Sequence, residues 1–198
     1  MKYLLGLMSV LLWAGAAHAA GAASEKSVLV HGQLDGVAPG WSIHTELPDG
    51  WTQDCCVYAK AIGVNLVLYK GDWTGEPDRV VVLNVWPAKL ATLDAEVQED
   101  RKHYLQLDPA GKVSAFPLAN VGMPCQGVLY QGNDHKDDAV VFCDPGKASG
   151  VRLSWSMTLA HDDASRQDLL ALFKRVVEQS HYTAYPPALD TKDKAARH

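Results

Sequence analysis

The chain has 198 residues, 47% of them hydrophobic and 21% charged, with 16 Gly, 10 Pro and 4 Cys. These proportions exclude a disordered, collagen-like or knottin-like chain, and the length suits one domain or one domain with a tail. The formal charge is −5, a sign that gains nothing from a phosphate backbone or an anionic lipid surface, so nucleic acid is excluded as a natural partner.

Residues 1–19 read as a cleaved secretory signal. Lys2 supplies a short positive start, residues 4–14 an apolar stretch of signal length, and Ala17-His18-Ala19 the small-x-small cleavage pattern. The cut is expected after Ala19, with a rival site two or three residues later. Its loss removes one base and no acid, which leaves the rest of the chain one unit more acidic. No later stretch approaches the about 18 apolar residues of a membrane helix. No Cys follows the cleavage region to carry a lipid, so no membrane anchor is expected. The short signal and the chain size point to a bacterial protein of the periplasm.

Residues 20–39 read as a leader or edge segment, 40–183 as a single domain and 184–198 as a flexible tail. Strands are expected at 27–32 (SVLVHG) and 41–47 (WSIHTEL), followed by a Pro-Asp-Gly turn. Residues 56–60 and 64–70 read as a strand pair, 71–78 as a loop, and 79–86 (RVVVLNVW) as a strand buried on both faces. Thr92 then caps a helix to about Leu107, with Leu93, Val97, Tyr104 and Leu107 on its apolar side. A strand at 112–119 precedes a hairpin, 126–131 with 139–143, around a loop at 132–138. Residues 151–159 (VRLSWSMTL) alternate as a strand packed on one side. A last helix covers 165–179, with Ser165 and Asp168 as a capping box.

The order is strands, a helix, antiparallel strands and a final helix. It defines an α+β fold, an antiparallel β-sheet covered by helices. The quoted pieces resemble the PsbP/Mog1-like fold, including bacterial DcrB-type proteins. Trp41-Ser42-Ile43 with Leu47-Pro48-Asp49-Gly50-Trp51 is similar to that family's opening strand and turn. The strong run at 80–86 precedes its middle helix, and the meander at 112–159 leads to a helix closing in Glu178-Gln179-Ser180. His181 stands where the family has an aromatic, and the four Cys are not part of the family pattern. The resemblance spans roughly residues 40–183 and implies an α/β/α sandwich with a non-enzymatic accessory, chaperone or binding role.

All four Cys lie beyond the signal, and an even count in an oxidising compartment reads as up to two disulfides. Cys125 and Cys143 flank the hairpin and form the favoured pair. Cys55 and Cys56 either bond each other, bond elsewhere, or stay reduced; a crossed arrangement is the second choice. No C-x-x-C marks a redox site. His135 with Asp134, Asp137 and Asp138, and His161 with Asp162 and Asp163, are weak metal or acid–base candidates. Their plainer readings are a solvated loop and a helix entrance. No nucleophile elbow or phosphate loop is present, and no cofactor is expected. Trp73, in a polar loop, and Asp134, His135 and Asp137 at the hairpin tip are the candidate contact residues for a protein partner. The expectation is a non-enzymatic binding protein, in one version an immunity protein against a periplasm-targeted toxin. The alternative is a small metal-dependent or hydrolytic enzyme.

Overall fold

The computed structural model describes residues 27–34, 37–73, 77, 79–119 and 121–185. The expected signal at 1–19 and residues 186–198 of the expected tail lie outside the described residues. The elements are β1 (Ser27–Leu34), β2 (Val37–Glu46), β3 (Trp51–Asp54), α1 (Tyr58–Ala61), β4 (Leu66–Lys70) and β5 (Arg79–Pro87). They continue as α2 (Leu93–Leu107), β6 (Lys112–Phe116), β7 (Cys125–Gln131), β8 (Lys136–Cys143), β9 (Val151–Ala160), α3 (Arg166–Glu178) and β10 (His181–Tyr185). A short 3-10 turn at Lys147–Ser149 links β8 to β9.

Two antiparallel sheets result, a seven-stranded one in the order β3-β4-β5-β9-β8-β7-β6 and a three-stranded one in the order β1-β2-β10. The fold is α+β. Strand alternation sorts the apolar residues of the large sheet into two sets. Leu66, Leu68, Val81, Leu83, Val85, Leu153 and Trp155 share one core with Val28, Val30, Trp41 and Ile43 of the small sheet and Leu169, Phe173, Val176 and Val177 of α3. On the opposite face, Leu93 and Val97 of α2 meet Val128, Tyr130 and Phe142. Beside them Ala59 of α1 covers Val67 and Tyr69. The buried Thr45 hydroxyl donates to the Val176 carbonyl at 2.6 Å and ties the small sheet to α3.

Several local expectations differ from the structure. Residues 56–60 are not a strand: the Asp54 carboxylate accepts N–H bonds from Cys56, Val57 and Ala59 at 2.9–3.2 Å and turns the chain into α1. Leu107, the last residue of α2, is exposed, and the buried residues of that helix are Leu93 and Val97 at its start. Ser165 makes no side-chain cap. Asp163 accepts the Ser165 N–H instead, at 2.8 Å. The first half of β9 is buried on both sides, with Arg152 and Ser154 inside, because Arg152 Nη1 is paired with Asp144 Oδ1 at 3.0 Å. Ser27–Leu34 is a full edge strand on β2, and residues 37–39 of the segment read as leader or edge open β2 itself, the central strand of the small sheet. Ala184 and Tyr185, read as the start of the tail, belong to β10, which pairs with the other side of β2.

Thr92 caps α2 as its sequence implies, its hydroxyl accepting the Ala95 N–H at 3.1 Å. Cys125 and Cys143 face each other across β7 and β8 and are joined. Their loop, with a sequence separation of 18, corresponds to about 3 kcal/mol of loop-closure entropy in the chain-entropy model. Replacing both by Ala is expected to lower the unfolding free energy by about 3 kcal/mol or more in urea titration. An unchanged midpoint would show that the bridge contributes nothing to the fold.

Candidate functional site

Asp54 ends β3 and organises the site that follows. Burial by itself would raise its carboxyl, but N–H donation from Ala59, Val57, Tyr58 and Cys56 outweighs this and holds it below its ordinary value. The carboxylate fixes the chain across Cys55 and Cys56, which are bonded to each other with Cα atoms 3.7 Å apart. Both are exposed. They form one wall of a cleft of about 440 Å³ whose other walls are Leu29, Val30 and His31 of β1, Trp41 of β2, Lys60 of α1 and Gly63 to Asn65 beyond it. Trp41 is 2% exposed and packs flat against Gly32, where an added Cβ would lie 2.6 Å from the indole. Its buried Nε1 has no acceptor among the described residues. The cleft lining contains His31 and Lys60 and no acid. Leu29 in its lining is 56% exposed, and Val57 and Ile62, next in sequence to the lining residues Cys56 and Gly63, are 65% and 51% exposed.

The His and Asp candidates meet elsewhere, where β8 begins and β9 ends beside α3. Asp137 was expected at an exposed hairpin tip, but it is 1% exposed. β8 starts at Lys136, so Asp137 shares the inward phase of Ala139 and Val141. Its carboxylate is held by Arg166 on one oxygen and by His161 Nε2 on the other, the latter at 2.5 Å. Asp163 pairs with Arg79 at 2.6 Å. The His135 ring lies edge-on to His161 with centroids 5.7 Å apart, and His135 takes a positive φ of 65°. Asp134 accepts the Lys136 N–H at 3.1 Å. Asp162 is exposed. Among the described residues, no three His, Cys, Asp or Glu side chains form a set able to hold a metal ion. The Asp137–His161 pair orients an imidazole, as a general base requires. No hydroxyl or thiol among the described residues is hydrogen-bonded to that ring. Through these contacts the cluster joins the start of β8, the start of α3 and the β9 end.

Trp73 is also engaged. Its indole stacks on Tyr58 at 4.6 Å with the planes 13° apart and meets Tyr69 edge-on at 5.2 Å. It is half-buried over the Ala59 cluster. This packing engages one face of the ring.

Sequence reasoning did not find the cleft. Its walls come from β1, β2 and the residues after β3, which are far apart along the chain, and only the Cys55-Cys56 doublet marks it locally. No helix of the described residues is long and apolar enough to cross a membrane.

No family model matches the chain, and no curated protein matches it. Among solved structures, it is similar to the cyanobacterial PsbP of Synechocystis sp., with 14% identity, a TM-score of 0.48, and coverage of 83% of this chain and 96% of that one. It is also similar to LpqN of Mycobacterium tuberculosis, a protein involved in cell envelope biogenesis, with 15% identity, a TM-score of 0.49, and coverage of 79% of this chain and 91% of that one. Both are likenesses of fold alone.

Asp137→Ala leaves Arg166 unpaired in a largely buried position and is expected to cost about 3 kcal/mol, read by thermal or urea unfolding. A loss within about 0.5 kcal/mol would mean the pairing is ornamental. For Asp54, a lowered folded-state value means its stabilising effect is complete above the unfolded value. The effect fades as pH falls through the lower folded value. In an NMR pH titration the Ala59 amide shift should therefore have its midpoint below 3.8, the ordinary Asp value. A midpoint at or above that value would remove the carboxylate from its turn.

Proposed function

We propose that the protein is a non-catalytic binding protein of the bacterial periplasm that acts by contact with another protein, and that the face around the Cys55–Cys56 cleft makes this contact. The supporting observation is the gathering of apolar side chains. Of the exposed large hydrophobic residues among those described, Leu29 lines this cleft, and Val57 and Ile62 adjoin its lining residues Cys56 and Gly63. Large apolar side chains exposed around one concavity are the usual mark of a contact surface, whereas scattered ones need no explanation. Export is supported by the signal-like residues 1–19. Four cysteines with none left free also suit an oxidising compartment. A narrower form of this reading is an immunity protein that neutralises a toxin delivered to the periplasm. It draws on the acidic charge of the chain, which suits a basic partner.

The test is affinity capture from the source periplasm and culture supernatant with tagged mature protein, in parallel with Val57→Asp. A stoichiometric protein retained by the wild type and reduced about tenfold or more by the variant is expected, a difference of about 1.4 kcal/mol in binding. Equal retention by a folded Val57→Asp protein would place the contact elsewhere. Absence of any partner would overturn the protein-binding reading. If the partner is a toxin, co-expression should protect cells from it.

A further inference from the structure

We infer that Cys55–Cys56 is a reversible thiol–disulfide exchange site that accepts electrons from a dithiol, distinct in role from Cys125–Cys143. The proposal stands on the contrast between the two bridges and on the groups around one of them. Cys143 is 0% exposed and Cys125 is only partly exposed, locked in register across two strands. There an attacking thiolate can reach only the partly exposed Cys125, at the wall of a separate surface cleft, while Cys143 is closed off. Cys55 and Cys56 are both exposed and border an open cleft. Their bond joins neighbours, with a sequence separation of 1. It closes no chain loop, so loop-closure entropy gives it no stabilising role.

The cleft also suits the chemistry. Exchange requires negative charge to leave on a sulfur, and a nearby cation eases that departure. Lys60 and His31 line the cleft with the two sulfurs, and no carboxylate lines it. Asp54 is the nearest acid in sequence, and its charge is spread over N–H donors of the residues that follow it. In the reaction, a thiolate of the dithiol attacks one sulfur of the pair. The Cys55–Cys56 bond breaks and its electron pair leaves on the other sulfur. The second thiol of the reductant then displaces the first and closes its own disulfide. Two electrons pass from the dithiol to the pair, and two protons end on Cys55 and Cys56. The inference does not depend on the protein partner proposed above, because the isolated protein suffices to test it.

The experiment treats oxidised mature protein, still folded, with dithiothreitol in one arm and reduced thioredoxin in the other. Samples are quenched with a maleimide and the label is located by peptide mass spectrometry. Cys55 and Cys56 should both become labelled at least about tenfold faster than Cys125 and Cys143, with near-ultraviolet circular dichroism showing the core intact. Reoxidation should restore the starting state. Lys60→Ala should slow reduction by about three- to tenfold and Lys60→Arg should restore it, as expected for a cation beside the leaving thiolate. A larger preference for Cys55–Cys56 over Cys125–Cys143 with thioredoxin than with dithiothreitol identifies a protein dithiol as the source, and an equal preference identifies a small one. Reduction of both bridges at one rate overturns the proposal, as does resistance of Cys55–Cys56 until unfolding. An unchanged rate in Lys60→Ala overturns the role of the cleft.

Discussion

Strand β9 imposes the constraint around which the other layers are arranged. It lies between β5 and β8, and its residues from Val151 to Trp155 are all buried. A strand with no wet face needs cover on both sides, and burying the apolar side chains of such a strand contributes about 1.5–3 kcal/mol for each large one. One side is supplied by α3 and the small sheet, through Phe173, Val177 and Ile43. α2 and α1 cover the other face of the large sheet over its two flanks. The polar cost of this arrangement falls on Arg152, which is 4% exposed and is compensated by Asp144. An unpaired guanidinium in the same place would be expensive.

Much of this plan is legible in the sequence, because alternation and periodicity report burial directly. The residues of β5 and β9 and the apolar stripe of α3 announce themselves, and Thr92 marks the start of α2. The misread parts have identifiable reasons. α1 is a four-residue helix, too short for a periodic signal, and it forms through a carboxylate that precedes it. An Asp directly ahead of a non-repetitive stretch was the available clue. β10 is an edge strand with mostly exposed residues, so it lacks the apolar alternation by which strands are recognised. Ser154 and Arg152 look outward by residue type and are inward by position.

The candidate site divides the same way. The Cys125–Cys143 bridge is visible because a hairpin brings its ends into register. The burial of Asp137 was also accessible: it falls two residues before Ala139 and four before Val141, on their side of the pleat. What sequence does not carry is the meeting of distant segments. Arg166 reaches Asp137 across 29 positions. His31, Trp41 and Lys60 share a cleft only because β1 folds back on β2 beside the turn after β3. Local chemistry can name a cysteine doublet, but the tertiary fold determines its surroundings.

The small sheet has a mechanical consequence. β1 and β10 both run antiparallel to β2, so they are parallel to each other on its two sides. Ser27 lies opposite Glu46, whereas Tyr185 lies opposite Gly40. The two ends of the described chain therefore leave β2 at opposite ends, about 20 Å apart along the strand. Tension applied between them runs along the strands and across hydrogen bonds that stand perpendicular to it. Such a load is borne by the whole ladder at once and does not peel it open bond by bond. A tether on one end and a pull on the other would thus meet the sheet in its most resistant direction.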